Sequence, residues 1–253
     1  QYNDRSLISE ISHTRDGANL IRLEYGYDLN NNRLSERKHI GSESLETTYQ
    51  YDDSNKLTHV AYPAAYNLPE RTVVYTYDGA NNRATESTTS AGSTDTKTYI
   101  YNTLDQLTDI TNTLPDAPQV TYTYDDLGNV ASRTVTTGTD TNVTGYLFDT
   151  RNQLRQVTVG GSTVGQFLYD HSGQRIESTF TYHSQTDQNQ APATSETKHS
   201  LYDGIQLLAE YQLNAEGNPT LDATYQFYQG TLLGRRALSE DDPANNTQTY
   251  YHT

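Results

Sequence analysis

The oxygen-rich segment from Asp28 to Asn32 has the residue types and spacing of the start of a calcium-binding loop, in which alternate side chains supply oxygen ligands. Such a loop needs glycine at its sixth position and a bidentate glutamate at its twelfth, whereas this chain has Arg33 and His39 there. Corresponding segments elsewhere do not repeat the pattern. We therefore expect no metal site and interpret the aspartate as a residue that forms a turn.

Other residue types that support catalysis or metal binding lack the necessary pattern. The chain has no cysteine, so it has no thiol nucleophile, and it has no Gly-x-Ser-x-Gly sequence. Its seven histidines include no pair at metal-ligand spacing. Its 32 carboxylates leave a pair of acids for glycoside hydrolysis open, because spacing in sequence does not give spacing in space. We expect no catalytic residue, no cofactor and no enzymatic activity.

The charge balance argues against two classes of partner. A formal net charge of -15 and an isoelectric point near 4.7 disfavour nucleic acid and anionic membrane surfaces, which need a basic footprint. The sequence has no run of 18 apolar residues, so we expect no membrane insertion. Because the chain begins at Gln1 and contains no methionine, we expect it to be a processed product or a piece of a longer protein.

An aromatic-x-aromatic-Asp motif recurs along the chain and predicts the elements that position these aspartates. Successive Asp or Asn positions of the motif lie 24, 26, 24, 23, 24, 21 and 33 residues apart, which indicates a tandem array. One copy has Asn in place of Asp, and the last keeps only its second half. The motif residues are Tyr25, Tyr27, Asp28, Tyr49, Tyr51, Asp52, Tyr75, Tyr77, Asp78, Tyr99, Tyr101, Asn102, Tyr122, Tyr124, Asp125, Tyr146, Phe148, Asp149, Phe167, Tyr169, Asp170, Tyr202 and Asp203.

The spacing inside each motif predicts one β-hairpin per repeat of about 24 residues. Residues two apart on a strand share a face, so the two aromatics are expected on one side of a sheet. Three positions after the Asp or Asn of the first seven motifs, the chain has Gly, Asn or Asp, which tolerate a positive φ and close a type I turn with a bulge. These expected left-handed residues are Asn31, Asn55, Asn81, Asp105, Gly128, Asn152 and Gly173.

We predict an all-β fold in which one array of tyrosine-aspartate (YD) repeats covers residues 1–253. About nine antiparallel hairpins are expected to stack into a curved or spiralling sheet rather than a sealed shell, with the 22 tyrosines forming much of its core. Regular repeats are expected at about 25–180, a polar surface loop at 183–199 and degenerate repeats at 200–253. Flanking repeats, a self-closed curl of the sheet or a partner chain are expected to cover the exposed sheet edges.

From Tyr25 to Tyr228 this array resembles the Rhs/YD-repeat family, which includes bacterial Rhs proteins, the shell subunits of insecticidal toxin complexes and the animal teneurins. The resemblance implies a segment of a hollow β-cocoon that encloses or scaffolds a C-terminal toxin polypeptide of a larger protein, secreted or at the bacterial cell surface. The residues from Tyr250 to Thr253 look like the opening of the family's final core repeat. The self-cleavage motif of relatives would follow them and is not in this chain, so neither autoproteolysis nor toxicity is carried over.

A cell-surface adhesion module is the alternative to a shell wall. Tyrosine rings beside Asp and Asn are what sugar-binding surfaces use, and glycans or proteins would then bind at loops such as residues 184–197. However, packing of hairpin on hairpin requires the same aromatic ladder in every repeat. We therefore prefer the structural interpretation of the tyrosines.

Overall fold

The computed structural model describes residues 1–15, 17–65, 67–182, 194–228, 231–237 and 248–250, and in these ranges it contains twenty β-strands and no helix. The predicted all-β fold of tandem antiparallel hairpins is confirmed. The chain divides into a first unit, Gln1–Thr121 with Val135–Asp140, and a second unit, Tyr122–Thr134 with Thr141–Thr253. None of the described residues belongs to a helix long and apolar enough to cross a membrane.

In the first unit each strand pairs antiparallel with the next one along the chain, from β1 through to the start of β10. These strands are β1 (Glu10–Arg15), β2 (Ala18–Tyr27), β3 (Arg33–Ile40), β4 (Glu43–Tyr51), β5 (Leu57–Tyr62), β6 (Arg71–Tyr77), β7 (Arg83–Ser90), β8 (Ser93–Tyr101), β9 (Leu107–Asn112) and β10 (Gln119–Tyr124).

The second unit repeats the same order of antiparallel neighbours from β12 to β20. Strands β10 to β12 contain residues of both units. The remaining strands are β11 (Val130–Thr137), β12 (Asp140–Phe148), β13 (Leu154–Val159), β14 (Ser162–Tyr169), β15 (Arg175–Tyr182), β16 (Thr194–Asp203), β17 (Gln206–Leu213), β18 (Pro219–Tyr228), β19 (Thr231–Ala237) and β20 (Gln248–Tyr250).

Threonine, tyrosine and valine form these strands because their side chains fit a pleated, half-buried surface. In β4 exposed and half-buried residues alternate, so that Tyr49 and Tyr51 share the half-buried face. Directly paired residues also share a face. The face that carries the motif aromatics is called the tyrosine face below.

A bulge accompanies the second aromatic of the motif. Gly26 pairs with Ser35, but Tyr27 pairs with Arg33, so the return strand contains one extra residue, Leu34. The same shift occurs before the turns that follow β4, β6, β8, β12, β14, β16 and β18. The bulge moves the first residue of the return strand beside the aromatic that precedes the turn.

Fully buried side chains are few in the part of the chain whose burial is described. Val60 and Val73 are directly paired in the first unit and are 2% and 6% exposed. In the second unit, Phe167 is 7% exposed and meets the Phe180 ring edge-on, with ring centroids 5.9 Å apart. Most of the motif tyrosines are half-buried. The residues whose burial is described therefore form no thick apolar core of the kind found in a two-layered domain.

The predicted polar loop at 183–199 is wrong at its C-terminal end, since residues 194–199 begin β16. This polar segment forms a strand because its hydroxyls bond across to β15, with Thr179 beside Thr197 at 2.9 Å and Thr181 beside Ser195 at 3.1 Å. The rest of the predicted loop, 183–193, lies outside the described residues, as do 238–247 and 251–253. Residues 225–228, which fall within the predicted degenerate repeats at 200–253, lie in β18, and this strand pairs with β19.

Candidate functional site: the aspartate turns and the tyrosine face

Each regular motif ends in a turn that its acidic or amide side chain holds together. In the first, Asp28 Oδ1 accepts the backbone N–H of Asn30 at 2.9 Å and that of Asn32 at 2.8 Å. The Asp28 N–H donates to the Asn32 carbonyl, and the Asn31 N–H donates to the Asp28 carbonyl. The carboxylate therefore accepts hydrogen bonds from two N–H groups of the turn, which lie beyond the end of the strand pairing.

The same two side-chain bonds recur in six further turns at distances of 2.8 to 3.1 Å. In one of them the acceptor is the amide oxygen of Asn102, so the turn does not require a charge. The acceptors are Asp52, Asp78, Asn102, Asp125, Asp149 and Asp170.

All seven residues expected to be left-handed have a positive φ. The angle is 70° at Asn31, 61° at Asn55, 71° at Asn81, 58° at Asp105, 85° at Gly128, 60° at Asn152 and 88° at Gly173. A β-carbon makes this conformation costly, and Asn and Asp accept it more readily than other non-glycine residues.

Two turns differ from the motif. Asp203 pairs directly with Gln206 across a two-residue turn, so the last motif keeps its tyrosine but not the aspartate turn. Conversely, Asn214 accepts the N–H groups of Glu216 and Asn218 at 3.1 and 2.9 Å, with Gly217 at a φ of 81°. This turn joins β17 to β18 at the opposite end of the hairpin, and no aromatic pair announces it in the sequence.

The turn geometry lowers the pKa of several motif carboxylates. At Asp52 the hydrogen bond from the Lys56 N–H is the largest influence and lowers the pKa. Loss of hydration is the second and raises the pKa, and the bond from the Ser54 N–H is the third and lowers it. At Asp28 the loss of hydration is the largest single influence and raises the pKa, but the bonds from Asn32 and Asn30 together with the charge of Arg5 outweigh it. Asp125 and Asp149 are also shifted down. These aspartates are held as hydrogen-bond acceptors, which is unsuitable for a general acid at neutral pH.

The second aromatic of the motif ties consecutive hairpins together. Tyr51 Oη donates to the Arg33 carbonyl at 3.0 Å, and Tyr77 Oη donates to the Leu57 carbonyl at 2.7 Å. In each case the acceptor is the first residue of the preceding return strand, beside the bulge. Equivalent bonds join Tyr27 to Ile8, Tyr101 to Arg83 and Tyr202 to Arg175.

A further recurring position, four residues after the motif Asp or Asn, was not recognised from the sequence. Asn32 Nδ2 bonds its own Asp28 at 2.9 Å and reaches Asn55 Oδ1 of the next turn at 2.7 Å. Corresponding bonds join Lys56 to Asn81, Asn82 to Asp105, and Asn129 to Asn152. The signal was present, because in all seven repeats this position has an N–H donor side chain: Asn32, Lys56, Asn82, Gln106, Asn129, Gln153 and Gln174.

The first aromatic of the motif packs against charge on the tyrosine face. Arg33 lies over the Tyr25 ring, 4.4 Å from its centroid, and binds Glu36 at 3.1 Å. Two repeats later, Arg83 lies over the Tyr75 ring, 4.7 Å from its centroid, and binds Glu86 at 3.0 Å. In these two hairpins a guanidinium group of the same hairpin therefore lies over the tyrosine ring.

No cluster of three or more His, Asp or Glu that could hold a metal ion occurs within the described residues. Two histidines lie in strands and contact glutamates: His39 Nε2 is 2.8 Å from Glu24, and His199 Nδ1 is 3.6 Å from Glu177. His199 also stacks on Tyr211. Taken together, the aspartate turns and the tyrosine face can hold neighbouring hairpins together, and most of their polar groups form the hydrogen bonds that do this.

Comparison with known proteins agrees with this geometry. The family model for the Teneurin YD-shell matches residues 1–225. No curated protein matches the chain. Crystal structures of TcdB2-TccC3-Cdc42 and TcdB2-TccC3 have a similar fold, each with a TM-score of 0.57 and with 13% and 14% sequence identity. They match over 93% and 91% of this chain, which spans 15% of the length of each matched chain. The resemblance expected from the motif is confirmed, and the chain belongs to the Teneurin YD-shell family.

Proposed function

We propose that this chain is a non-enzymatic wall segment of a larger YD shell, which encloses or scaffolds a polypeptide of the same parent protein. The proposal rests on one observation: the polar groups of the repeated motif form hydrogen bonds within the turns and between neighbouring hairpins. The aspartates hold turns, and the tyrosine hydroxyls of five repeats bond the backbone of the preceding hairpin or segment.

The thin core supports a role as a wall. A hairpin ribbon with few buried side chains has to gain stability from flanking repeats and from contact on at least one face. Because the chain spans 15% of the proteins that it matches in fold, most of such a shell would be formed by other repeats. An enclosed polypeptide would contact the face that those repeats turn inward.

Location and partners follow from the same proposal. We place the parent protein outside the cell or on the surface of a bacterium, with neighbouring repeats or a shell subunit as partners of this segment. The acidic charge of -15 is consistent with a role that involves neither nucleic acid nor an anionic membrane.

The adhesion alternative has less support. A sugar-binding tyrosine needs an open ring face and a free hydroxyl, whereas the Tyr25 ring carries Arg33 and the Tyr77 hydroxyl is bonded to Leu57. Most of the loop suggested for glycans lies outside the described residues. A glycan array with the purified chain separates the two functions, because dose-dependent binding to a defined sugar would favour adhesion.

Enclosure is tested by protease protection of the parent protein. We expect the polypeptide that follows the YD repeats to be cleaved far more slowly inside the intact protein than when it is expressed alone. Equal cleavage rates would refute enclosure, as would a parent reading frame that ends soon after Thr253.

Variants link that protection to the wall. Tyr51→Phe with Tyr77→Phe removes two hydroxyl bonds between hairpins, and we expect it to speed cleavage of the enclosed polypeptide. Tyr25→Phe with Tyr75→Phe is the matched control, because it removes two hydroxyls from the same tyrosine face but none of these bonds. Similar acceleration by both pairs would contradict the assigned role of the second aromatic.

A further inference from the structure

A cleft lies on the tyrosine face of the first unit. Its volume of about 370 Å³ is within the range of ligand-binding pockets. It lies between β3 and β4 on one side and the connection from β5 to β6 on the other. Leu45, Leu68 and Pro69 line it with apolar surface, and Leu68 is 70% exposed. Three charged side chains, Glu36, Lys38 and Arg71, also line it.

Lys38 is an exception among the four lysines of the chain. The others form ion pairs: Lys56 with Asp52 at 3.6 Å, Lys97 with Glu86 at 3.2 Å, and Lys198 with Asp222 at 2.9 Å. Lys38 is half-buried and has no carboxylate within 4.0 Å among the described residues. An ammonium group so placed in an acidic protein favours an anion in the cleft.

Arg71 provides a second cation on the other wall. Its guanidinium lies over the Tyr62 ring, 4.2 Å from the centroid, which restrains it without neutralising its charge. It forms no ion pair with a carboxylate in the described part of the chain. The carboxylate of the cleft, Glu36, is already paired with Arg33 at 3.1 Å. The cleft therefore has a net positive charge beside apolar surface.

We propose that this cleft binds a peptide in which acidic side chains flank apolar ones. Lys38 and Arg71 lie on strands that are three spacings apart, or about 14 Å between backbones, and an extended peptide covers that distance in about four residues. Carboxylates of the peptide would bond the two cations, while its apolar side chains pack on Leu45 and Leu68. That the natural peptide is part of an enclosed polypeptide rests on the proposed function, but peptide binding itself does not.

The test measures fluorescence anisotropy of a labelled peptide, Glu-Leu-Leu-Leu-Glu with blocked ends, titrated with the full chain; its two glutamates are four residues apart and share one face of an extended peptide. Replacing both glutamates of the peptide by glutamine should weaken binding at least about tenfold, since the charge-assisted bonds are lost. Lys38→Gln should weaken binding of the acidic peptide about tenfold as well. Arg37→Gln, on the opposite face of the same strand, is the matched control and should leave binding unchanged.

Equal affinity for the acidic and the glutamine peptide would overturn the proposal, and this comparison does not depend on how any variant folds. An equal loss in Lys38→Gln and Arg37→Gln would also overturn it. Hexanoate serves as a free carboxylate with an apolar tail, and binding of hexanoate as tightly as the peptide would assign the cleft to small carboxylates instead. Protease protection in the parent protein without peptide binding by this chain would reject the cleft while leaving the shell intact.

Discussion

Removal of a single hydroxyl should loosen the contact between two hairpins. Tyr77 Oη donates to the Leu57 carbonyl at 2.7 Å, and this partly buried bond connects the end of β6 to the start of β5. Tyr77→Phe keeps the ring and deletes only the bond. Tyr75→Phe is the matched control, because this tyrosine lies two residues away on the same face and makes no such bond to the backbone.

The size of the effect follows from the bond that is lost. A hydrogen bond in a folded protein contributes about 1 kcal/mol net, and leaving the partly buried carbonyl unpaired adds to the loss. A change of about 1 kcal/mol raises a local opening constant about fivefold. A global melting temperature is a poorer measure, because repeat arrays depart from two-state unfolding.

Native-state hydrogen exchange supplies the assay. The backbone N–H groups of Lys56 and Asn82, which bond Asp52 and Asp78, lie in the two turns beside the deleted bond. We expect both to exchange about fivefold faster in Tyr77→Phe and at an unchanged rate in Tyr75→Phe. Unchanged exchange in Tyr77→Phe, or equal acceleration in both variants, would refute the idea that this hydroxyl joins the hairpins.

Three further predictions concern the turns and the tyrosines. Asn81→Ala should destabilise its turn by about 1 kcal/mol more than Asn81→Gly does, because both remove the side-chain acceptor but only alanine disfavours the φ of 71°; native-state hydrogen exchange of the Asn82 N–H in the two variants gives the difference. The lowered pKa of Asp52, due first to the Lys56 N–H, means that its stabilising contribution is present above the ordinary aspartate pKa and is lost as pH falls through the folded value. An acid titration of the Lys56 amide resonance should show this loss, and Asp52→Asn should abolish the dependence, as the neutral Asn102 turn suggests. Burial is the main reason that the pKa of Tyr49 is raised, so the fold should lose stability as pH rises from the ordinary tyrosine pKa toward the folded value. Circular dichroism, recorded together with tyrosinate absorbance, measures this loss, and Tyr49→Phe should reduce it.

The local chemistry of the repeats could be predicted from the sequence, because each part of it is encoded within ten residues. Aromatics two apart give a strand face, and Asn81 three places after Asp78 gives the turn with positive φ. The bonds between repeats could not be predicted because they join residues 18 to 27 positions apart. Only the structure shows that Asn82 reaches Asp105.

Two errors have different physical causes. The polar composition of the segment from Thr194 to His199 predicts a loop, but hydroxyl pairs across β15 and β16 stabilise strands without apolar side chains. The Asn214 turn was overlooked because it follows no aromatic pair. The cleft was also not foreseeable, since it requires the pairing of Arg71 with Tyr62 together with the path of the connection between β5 and β6.

The two ends of each hairpin differ in how much added sequence they can accept. At the motif end the bulge and the aspartate turn fix the number of residues, so an insertion of one residue would move the return strand's side chains to the wrong face. At the other end, β3 and β4 are joined by two residues, Gly41 and Ser42, whereas β5 and β6 are joined by residues 63–70. Foreign peptides, labels or small domains should therefore be tolerated at Gly41 and not at Asp28, which makes the far ends of the hairpins the sites for engineering this chain.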